Sequence, residues 1–316
     1  MIKGLVITPP VLGRISIGKV IEKNGKRLPE KDDQFTLTTQ VQGRDGWLLH
    51  PYDETLRQSA NGKLRKIPIR LMFNDPDLNL RAEYSVFDRT TGRPLCVGNG
   101  EVAKRVGAQG MEEVSCPGPE RCPYGHQQGC KLYGRLNLFV EGQGDELGSF
   151  IFRTTGYNSV RTLAARLKYF EAVSGGLTRY LPLTLRLRAK STTQSYRTPV
   201  YYVDLTLRDE LTLTEAVGQA RQEAMLDDEA GLTIREMETV ARALLRNGQF
   251  EEVDEEVPML LEEFYPEPEM IASSSTSQPL ATVTAPKRLS PRSSPLTSKL
   301  GKNAAPSPPT PEPQSQ

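Results

Sequence analysis

Apolar and polar residues alternate along several short stretches of the chain, which is the pattern of half-buried β-strands. The alternating stretches are 35–41, 67–73, 81–88, 136–142, 148–154, 181–190 and 199–208. Gly142 and Gly144 predict a hairpin between the fourth and fifth stretches, and the turn-rich residues 74–79 predict another between the second and third. The polar residues 191–198 between the last two stretches predict a loop that joins antiparallel neighbours. Short strands at this spacing favour a sandwich or barrel-like antiparallel sheet over a parallel, doubly wound one.

Three other stretches repeat apolar residues at helical spacing. The first carries this repeat from Val160 to Val173 and is ended by Gly175. The second runs from about Leu213 to Ala230, after a capping box of threonine and glutamate at 212 and 215. The third runs from residue 234 to residue 247, where a following glycine stops it. We expect one helix packed on the sheet and a C-terminal helical pair.

The last 51 residues differ in composition from the rest. Residues 266–316 hold eleven of the 24 prolines and ten serines, and they contain no aromatic residue. Such a segment cannot bury enough apolar surface to offset its ordering entropy, so we expect a disordered tail. No run of 18 apolar residues and no secretory signal is present, which predicts a cytoplasmic protein without membrane association.

The net charge of +1 hides an asymmetry along the chain. Residues 1–208 carry 31 Lys and Arg against 20 Asp and Glu, whereas residues 209–265 carry 4 against 16. This division indicates either a polyanion-binding face with an acidic mask in the same chain, or a solvated surface whose halves happen to differ. The most acidic part, 251–265, is interpreted as a partly ordered extension or a docking peptide.

All four cysteines lie within 35 residues, in a sequence rich in proline and glycine. They are Cys96, Cys116, Cys122 and Cys130. This composition predicts tight loops with little core of their own. Four thiolates around Zn²⁺ would stabilise these loops, and a four-cysteine site is closed and structural rather than catalytic. His126 could replace Cys96 as a ligand, and buried free thiols or a redox pair are the alternatives.

Other chemical signals are weak. Residues 13–20 nearly fit a phosphate-binding loop, but Val20 stands where a magnesium-binding hydroxyl belongs, so a strand hairpin is favoured. Asp75, Asp77 and Asn79 resemble the start of a calcium loop but lack its glycine and final glutamate, which favours a capped turn. A lone His50 is more often structural than catalytic.

Basic side chains on one predicted strand and one predicted helix form a candidate nucleic-acid surface. The candidate residues are Arg161, Lys168, Arg186, Arg188 and Lys190. Phosphates bind such surfaces through counterion release, and Tyr196, Tyr201 and Tyr202 could stack single-stranded bases beside them. The alternative is a solvated sheet face, since no groove-reading motif is present.

The stretches 67–100, 130–138 and 148–177 together resemble the recombination-directionality-factor-like proteins of phages and integrative elements. The resemblance covers about residues 1–208 and implies that the four cysteines are zinc ligands. It also implies binding to a large serine integrase, with a switch from integration to excision that acts through protein contact. Related proteins often carry the label of hydrolase or metal-binding protein, but no catalytic motif supports that label in this sequence.

These observations predict an α+β fold. A β-rich antiparallel sheet body with an inserted four-cysteine zinc loop and one packed helix covers 1–208, an acidic helical extension covers 209–265, and the tail covers 266–316. We expect a non-enzymatic accessory protein that binds a site-specific recombinase and contacts no small-molecule substrate. A nucleic-acid-binding module for element replication or repair is the second hypothesis, and a metal-dependent hydrolase is the third.

Overall fold

One mixed sheet of twelve strands forms the framework of the described part of the chain. A computed structural model describes residues 9–245 apart from 24, 25, 45, 61, 146, 192 and 194–196, together with Phe264. The strands are β1 (Val11–Lys23), β2 (Lys26–Gly43), β3 (Gly46–Leu49), β4 (Lys66–Leu71), β5 (Leu80–Phe87), β6 (Pro94–Gly98), β7 (Val102–Gly107), β8 (Gly110–Ser115), β9 (Lys131–Val140), β10 (Ser149–Thr154), β11 (Leu183–Lys190) and β12 (Val200–Leu207). The helices are α1 (Pro51–Ser59), α2 (Pro76–Asn79), α3 (Pro123–Gln128), α4 (Tyr157–Ser174), α5 (Leu213–Glu229) and α6 (Ile234–Leu245).

The sheet branches at β9. Its main path has the order β3-β2-β1-β10-β9-β5-β6-β7-β8, and a second path leaves β9 through β4 and β11 to β12. β5 pairs with residues 131–136 of β9 and β4 pairs with residues 138–140, while β10 pairs along 134–138. The α+β class predicted from the sequence is confirmed.

Two details of the predicted sheet are wrong. The sheet is mixed rather than antiparallel, because β1 runs parallel to β10 and β2 runs parallel to β3. β4 and β5 do not form a hairpin across 74–79, because both pair with β9, one after the other, with α2 between them. Asn79 fixes this connection, since its side chain accepts from the backbone N–H of Met72 and donates to the carbonyl of Phe73.

The main core lies between one face of the sheet and α4. The sheet contributes large side chains such as Phe150, Phe152 and Leu136, and the helix contributes Leu163 and Leu167, all at 1% exposure or less. The helix approaches closely because β9 has a glycine at 134, where a Cβ would lie 2.7 Å from a methyl of Val160. The predicted end of this helix is confirmed, since Gly175 adopts a left-handed conformation at φ 71°.

The C-terminal helical pair is confirmed. Thr212 and Glu215 form the predicted capping box of α5, and the buried Ala216 and Ala220 of α5 join the main core. α6 packs Ala241 against Met72, Phe73 and Leu78. No helix among the described residues is long and apolar enough to cross a membrane. The chain divides into units 1–268 and 269–316, and the tail predicted at 266–316 lies outside the described residues.

Candidate functional site

The cysteine-bearing region is an antiparallel extension of the sheet followed by a short helix. Cys96 lies in β6 opposite Arg105 of β7, and Cys116 follows directly after β8. Cys122 is the N-cap residue of α3, where its sulfur accepts from the backbone N–H of Gly125 at 3.3 Å. Cys130 immediately precedes β9. The region therefore has more regular structure than the tight loops expected from its proline and glycine content.

Three of the four cysteines pack in one small apolar cluster. Cys96 and Cys116 are buried with Val86 and Ala103, and Cys130 packs against them. Cys122 lies beside this cluster, because a Cβ built on Gly125 would lie 3.0 Å from the Cβ of Cys130 and 3.3 Å from that of Cys122. All four thiols are free of disulfides.

A second glycine lets the strands approach at this point. A Cβ on Gly98 would lie 2.7 Å from the sulfur of Cys116 and 2.7 Å from the Cβ of Ala103. Neither Gly98 nor Gly125 has a positive φ, so the requirement for glycine comes from space rather than from backbone conformation. These two glycines make room for the thiols.

The guanidinium of Arg105 lies beside the thiols. Arg105 reaches the sulfur of Cys122 at 3.7 Å and stacks 4.0 Å from the ring centroid of Tyr124. Burial, followed by the charges of the other three cysteines, raises the pKa of Cys130 to about 12. Mutual repulsion of thiolates is the electrostatic condition that a dication relieves.

The described side chains nevertheless do not lie at the distances of a metal site. Among residues 9–245 with their gaps and Phe264, no three His, Cys, Asp or Glu side chains are close enough to hold a metal ion. His126 lies in α3 and is exposed. The zinc site of Cys96, Cys116, Cys122 and Cys130, and the question of His126 as a ligand, therefore stay predictions.

The histidine, the phosphate-loop-like sequence and the calcium-like sequence have structural roles. His50 caps α1, accepting from the backbone N–H of Tyr52 at 3.1 Å, and its ring meets Phe150 edge-on. Burial lowers the pKa of His50. Residues 13–20 lie within β1, as the hairpin interpretation predicts. Asp75 caps α2 through the N–H of Asp77 at 2.9 Å, which confirms the capped turn.

The candidate nucleic-acid residues are largely exposed, but most have acidic partners. Arg188 of β11 pairs with the buried Asp204 at 2.5 Å, and Arg186 pairs with Asp209. Lys168 of α4 lies 3.5 Å from Asp77. Lys190 donates to the side-chain oxygen of an asparagine at 158 and lies 5.8 Å from the ring of a tyrosine at 202. Much of the positive charge in this set is neutralised locally.

Arg161 lines a cleft, unlike the candidates that have acidic partners. It lines an open cleft of about 300 Å³ between α4 and the β5–β6 strands, together with Tyr84 and the exposed Tyr157. The other four candidates are Lys168, also on α4, and three residues of β11. Tyr196, the third tyrosine of the predicted stacking set, lies outside the described residues.

Sequence analysis missed a row of arginines on the sheet face opposite α4. Arg135 of β9 lies directly beside Arg81 of β5 and Arg153 of β10. Arg135 and Arg153 are buried, at 3% and 8% exposure. Each arginine is part of an alternating strand in the sequence, but the register that aligns them is set by pairing between distant segments.

One of the comparisons with known proteins finds a match. Residues 12–208, more than half of the chain, match the Gp3-like family, described as recombination directionality factor-like. The matched region runs from β1 to the end of β12 and includes the cysteine-bearing extension. No curated protein matches the chain, and no solved structure matches it. On the match over residues 12–208, the chain belongs to the Gp3-like family of recombination directionality factor-like proteins.

Proposed function

We propose that this chain is a non-enzymatic accessory protein of a phage or mobile element that binds a serine recombinase and controls the direction of recombination. The single observation that carries the proposal is the family match, which spans the whole sheet. His50, which was considered for catalysis, and Asp75 of the calcium-loop-like sequence have structural roles as helix caps. That assignment favours binding over chemistry as the task of this fold.

The binding proposal is tested with the full chain and a serine recombinase encoded by the same element. The two proteins are mixed after nuclease treatment and separated by size exclusion. Co-elution at a fixed ratio that persists at high salt is expected for contact between proteins. Separate elution would contradict recombinase binding.

We also propose a structural zinc ion held by Cys96, Cys116, Cys122 and Cys130. The donor set supports this proposal, because four thiols are the soft ligands that zinc prefers and the glycines at 98 and 125 leave room beside them. Zinc would link β6, the end of β8, the start of α3 and the start of β9. Such a site contributes folding free energy and leaves no open position for substrate.

A nucleic-acid-binding module is the second candidate function. The exposure of Arg161, Lys168, Arg188 and Lys190 favours it, and the tyrosines beside Arg161 offer stacking surfaces. Binding of a labelled single strand should then weaken steeply with salt. Replacement of Arg161 and Lys190 by glutamine should weaken it further, with Arg121→Gln as an exposed control. An affinity for the strand that changes neither with salt nor with these substitutions would contradict this function.

A further inference from the structure

A second apolar cluster, apart from the main core, lies where α6 meets the connection between β4 and β5. One side of this cluster consists of Met72, Phe73 and Leu78, with the half-buried Phe139 of β9 against them. Each of the first three is 5% exposed or less. We call these four side chains the α6 groove.

The helix α6 fills this groove with one of its faces. Its inward side chains are Ile234, Met237, Glu238 and Ala241, at the i, i+3, i+4 and i+7 spacing of an amphipathic helix. Ala241 is 1% exposed, and Met237 packs beside it in the groove. Ile234 reaches the edge of the main core. Val240, on the outer face, is 51% exposed.

Polar contacts fix the direction of α6 in the groove. The carboxylate of Glu238 accepts from the backbone N–H of Asn74 and, at 3.2 Å, from that of Asp75. One turn later, the guanidinium of Arg242 donates to the carboxylate of Asp75, with Nε 2.9 Å from Oδ2. The groove therefore holds a helix by an apolar stripe that is flanked by one carboxylate and one guanidinium.

A small buried surface holds α6 in place. Among the side chains at 234–243, for which burial is described, Ala241 alone is buried. The side chain of Arg242 is 60% exposed, so its ion pair with Asp75 contributes little to stability. A helix with so few buried contacts opens locally at a low free energy.

The groove and its helix lie on different sides of the family boundary. Met72, Phe73, Leu78 and Phe139 are within the matched residues 12–208, whereas α6 begins at Ile234. The family domain therefore supplies an apolar groove that a helix from outside the match covers. Apolar surface of this kind is a docking site for amphipathic helices, which are recognised by side chains at i, i+3, i+4 and i+7.

We propose that the α6 groove is a docking site for an amphipathic helix of the recombinase, and that α6 occupies it as a displaceable internal ligand. The partner helix would place a small apolar residue where Ala241 lies, with a carboxylate one turn earlier for the N–H groups of Asn74 and Asp75. The identity of the partner rests on the proposed recombinase binding. In the full chain α6 would lower the apparent affinity for the recombinase, because the groove must open first.

The test uses a fluorescein-labelled synthetic peptide with the sequence of residues 231–247, titrated with the full chain and followed by fluorescence anisotropy. The wild type should bind the peptide weakly, since its own α6 competes. Ala241→Glu places a carboxylate against the apolar groove and releases α6, so it should tighten peptide binding about tenfold or more. Val240→Glu makes the same change on the exposed face of α6 and should bind the peptide as the wild type does.

The recombinase of the same element links the groove to the proposed function. Its affinity for the Ala241→Glu chain should exceed its affinity for the wild type about fivefold or more, and unlabelled peptide should compete with it. Peptide binding to the Ala241→Glu chain without recombinase binding to any form would support the groove and contradict the proposed function. Equal recombinase binding to all three chains, unaffected by the peptide, would overturn the proposal.

A second variant guards against misfolding, which circular dichroism detects. If Ala241→Glu fails to fold, Glu238→Ala takes its place, because it frees α6 without placing a charge in the groove. Peptide binding no tighter to either variant than to the wild type would refute the groove as a helix-binding site. A wild-type dimer on size exclusion that the peptide dissociates would assign the groove to α6 of a second copy and overturn the recombinase as its occupant.

Discussion

Asp204 shows how a single buried carboxylate joins three elements. It is 1% exposed and accepts from Arg166 of α4 at 2.9 Å and from Arg188 of β11 at 2.5 Å. It also accepts from the backbone N–H of Leu205. The sequence shows an aspartate in an apolar strand, but it cannot show which arginines neutralise it.

Asp204→Asn should lower the free energy of unfolding by about 1–3 kcal/mol, since charge-assisted hydrogen bonds to two guanidiniums are lost. Urea unfolding followed by circular dichroism measures the change. Asp77→Asn, which removes an exposed ion pair with Lys168, is the control and should cost about 0.5 kcal/mol or less. Equal losses in the two variants would show that Asp204 is not a structural tie.

Gly98 tests the close packing beside the cysteines. Gly98→Ala places a methyl 2.7 Å from the sulfur of Cys116 and should destabilise the fold by about 1–3 kcal/mol. Gly144→Ala, where nothing lies within 4 Å, should change stability by no more than about 1 kcal/mol. Thermal unfolding compares the two variants, and a Gly98 variant as stable as the control would refute this packing.

His50 makes stability depend on pH. Because burial lowers its pKa in the folded state below the usual value of about 6.5, the unfolded chain binds the proton first as pH falls. His50→Asn keeps an N-cap side chain without this titration. The wild type should therefore lose melting temperature relative to the variant between about pH 7 and pH 5. A constant difference across that range would contradict this interpretation.

At the scale of elements, the spacing of apolar residues predicted which of these segments form strands and which form helices. The alternating stretches became β2, β4, β5, β9–β12 and the helical repeats became α4, α5 and α6. Pairing partners were not predictable, because alternation identifies the faces of a strand but not its neighbour. The parallel pairing of β1 with β10 and the placement of β4 and β5 end to end along β9 therefore appeared only in the structure.

The cysteine-bearing extension is the element whose stability should depend on metal. The purified full chain should contain about one zinc, and Cys116→Ser and Cys130→Ser should lose it. A chelator should lower the melting temperature of the wild type more than that of either variant. Metal analysis and thermal unfolding measure these effects.

His126→Ala distinguishes the two ligand sets. Zinc should be retained in this variant if the four cysteines bind it, and should be lost if the histidine replaces Cys96. A wild-type chain that folds without zinc, and whose melting temperature does not change with the chelator, would contradict a structural metal.

At the scale of the whole molecule, the sequence predicted the charge asymmetry and the family, but not how the basic side chains are arranged. The charge asymmetry indicated a polyanion-binding face with an acidic mask as one alternative, yet it could not place Arg81, Arg135 and Arg153 side by side, because that depends on the register of β5, β9 and β10. The family resemblance predicted the recombination role, and the match over residues 12–208 confirms the family. The partner itself is a matter of surface complementarity, which a single sequence does not contain.

The direction of recombination tests the central claim most directly. A reporter plasmid carries the junction sites left by integration, and the serine recombinase of the same element acts on it with or without the full chain. We predict that excision products form only when the chain is present and that integration is reduced in parallel. Equal excision with and without the chain, at concentrations where both proteins are folded, would contradict its role as a directionality factor.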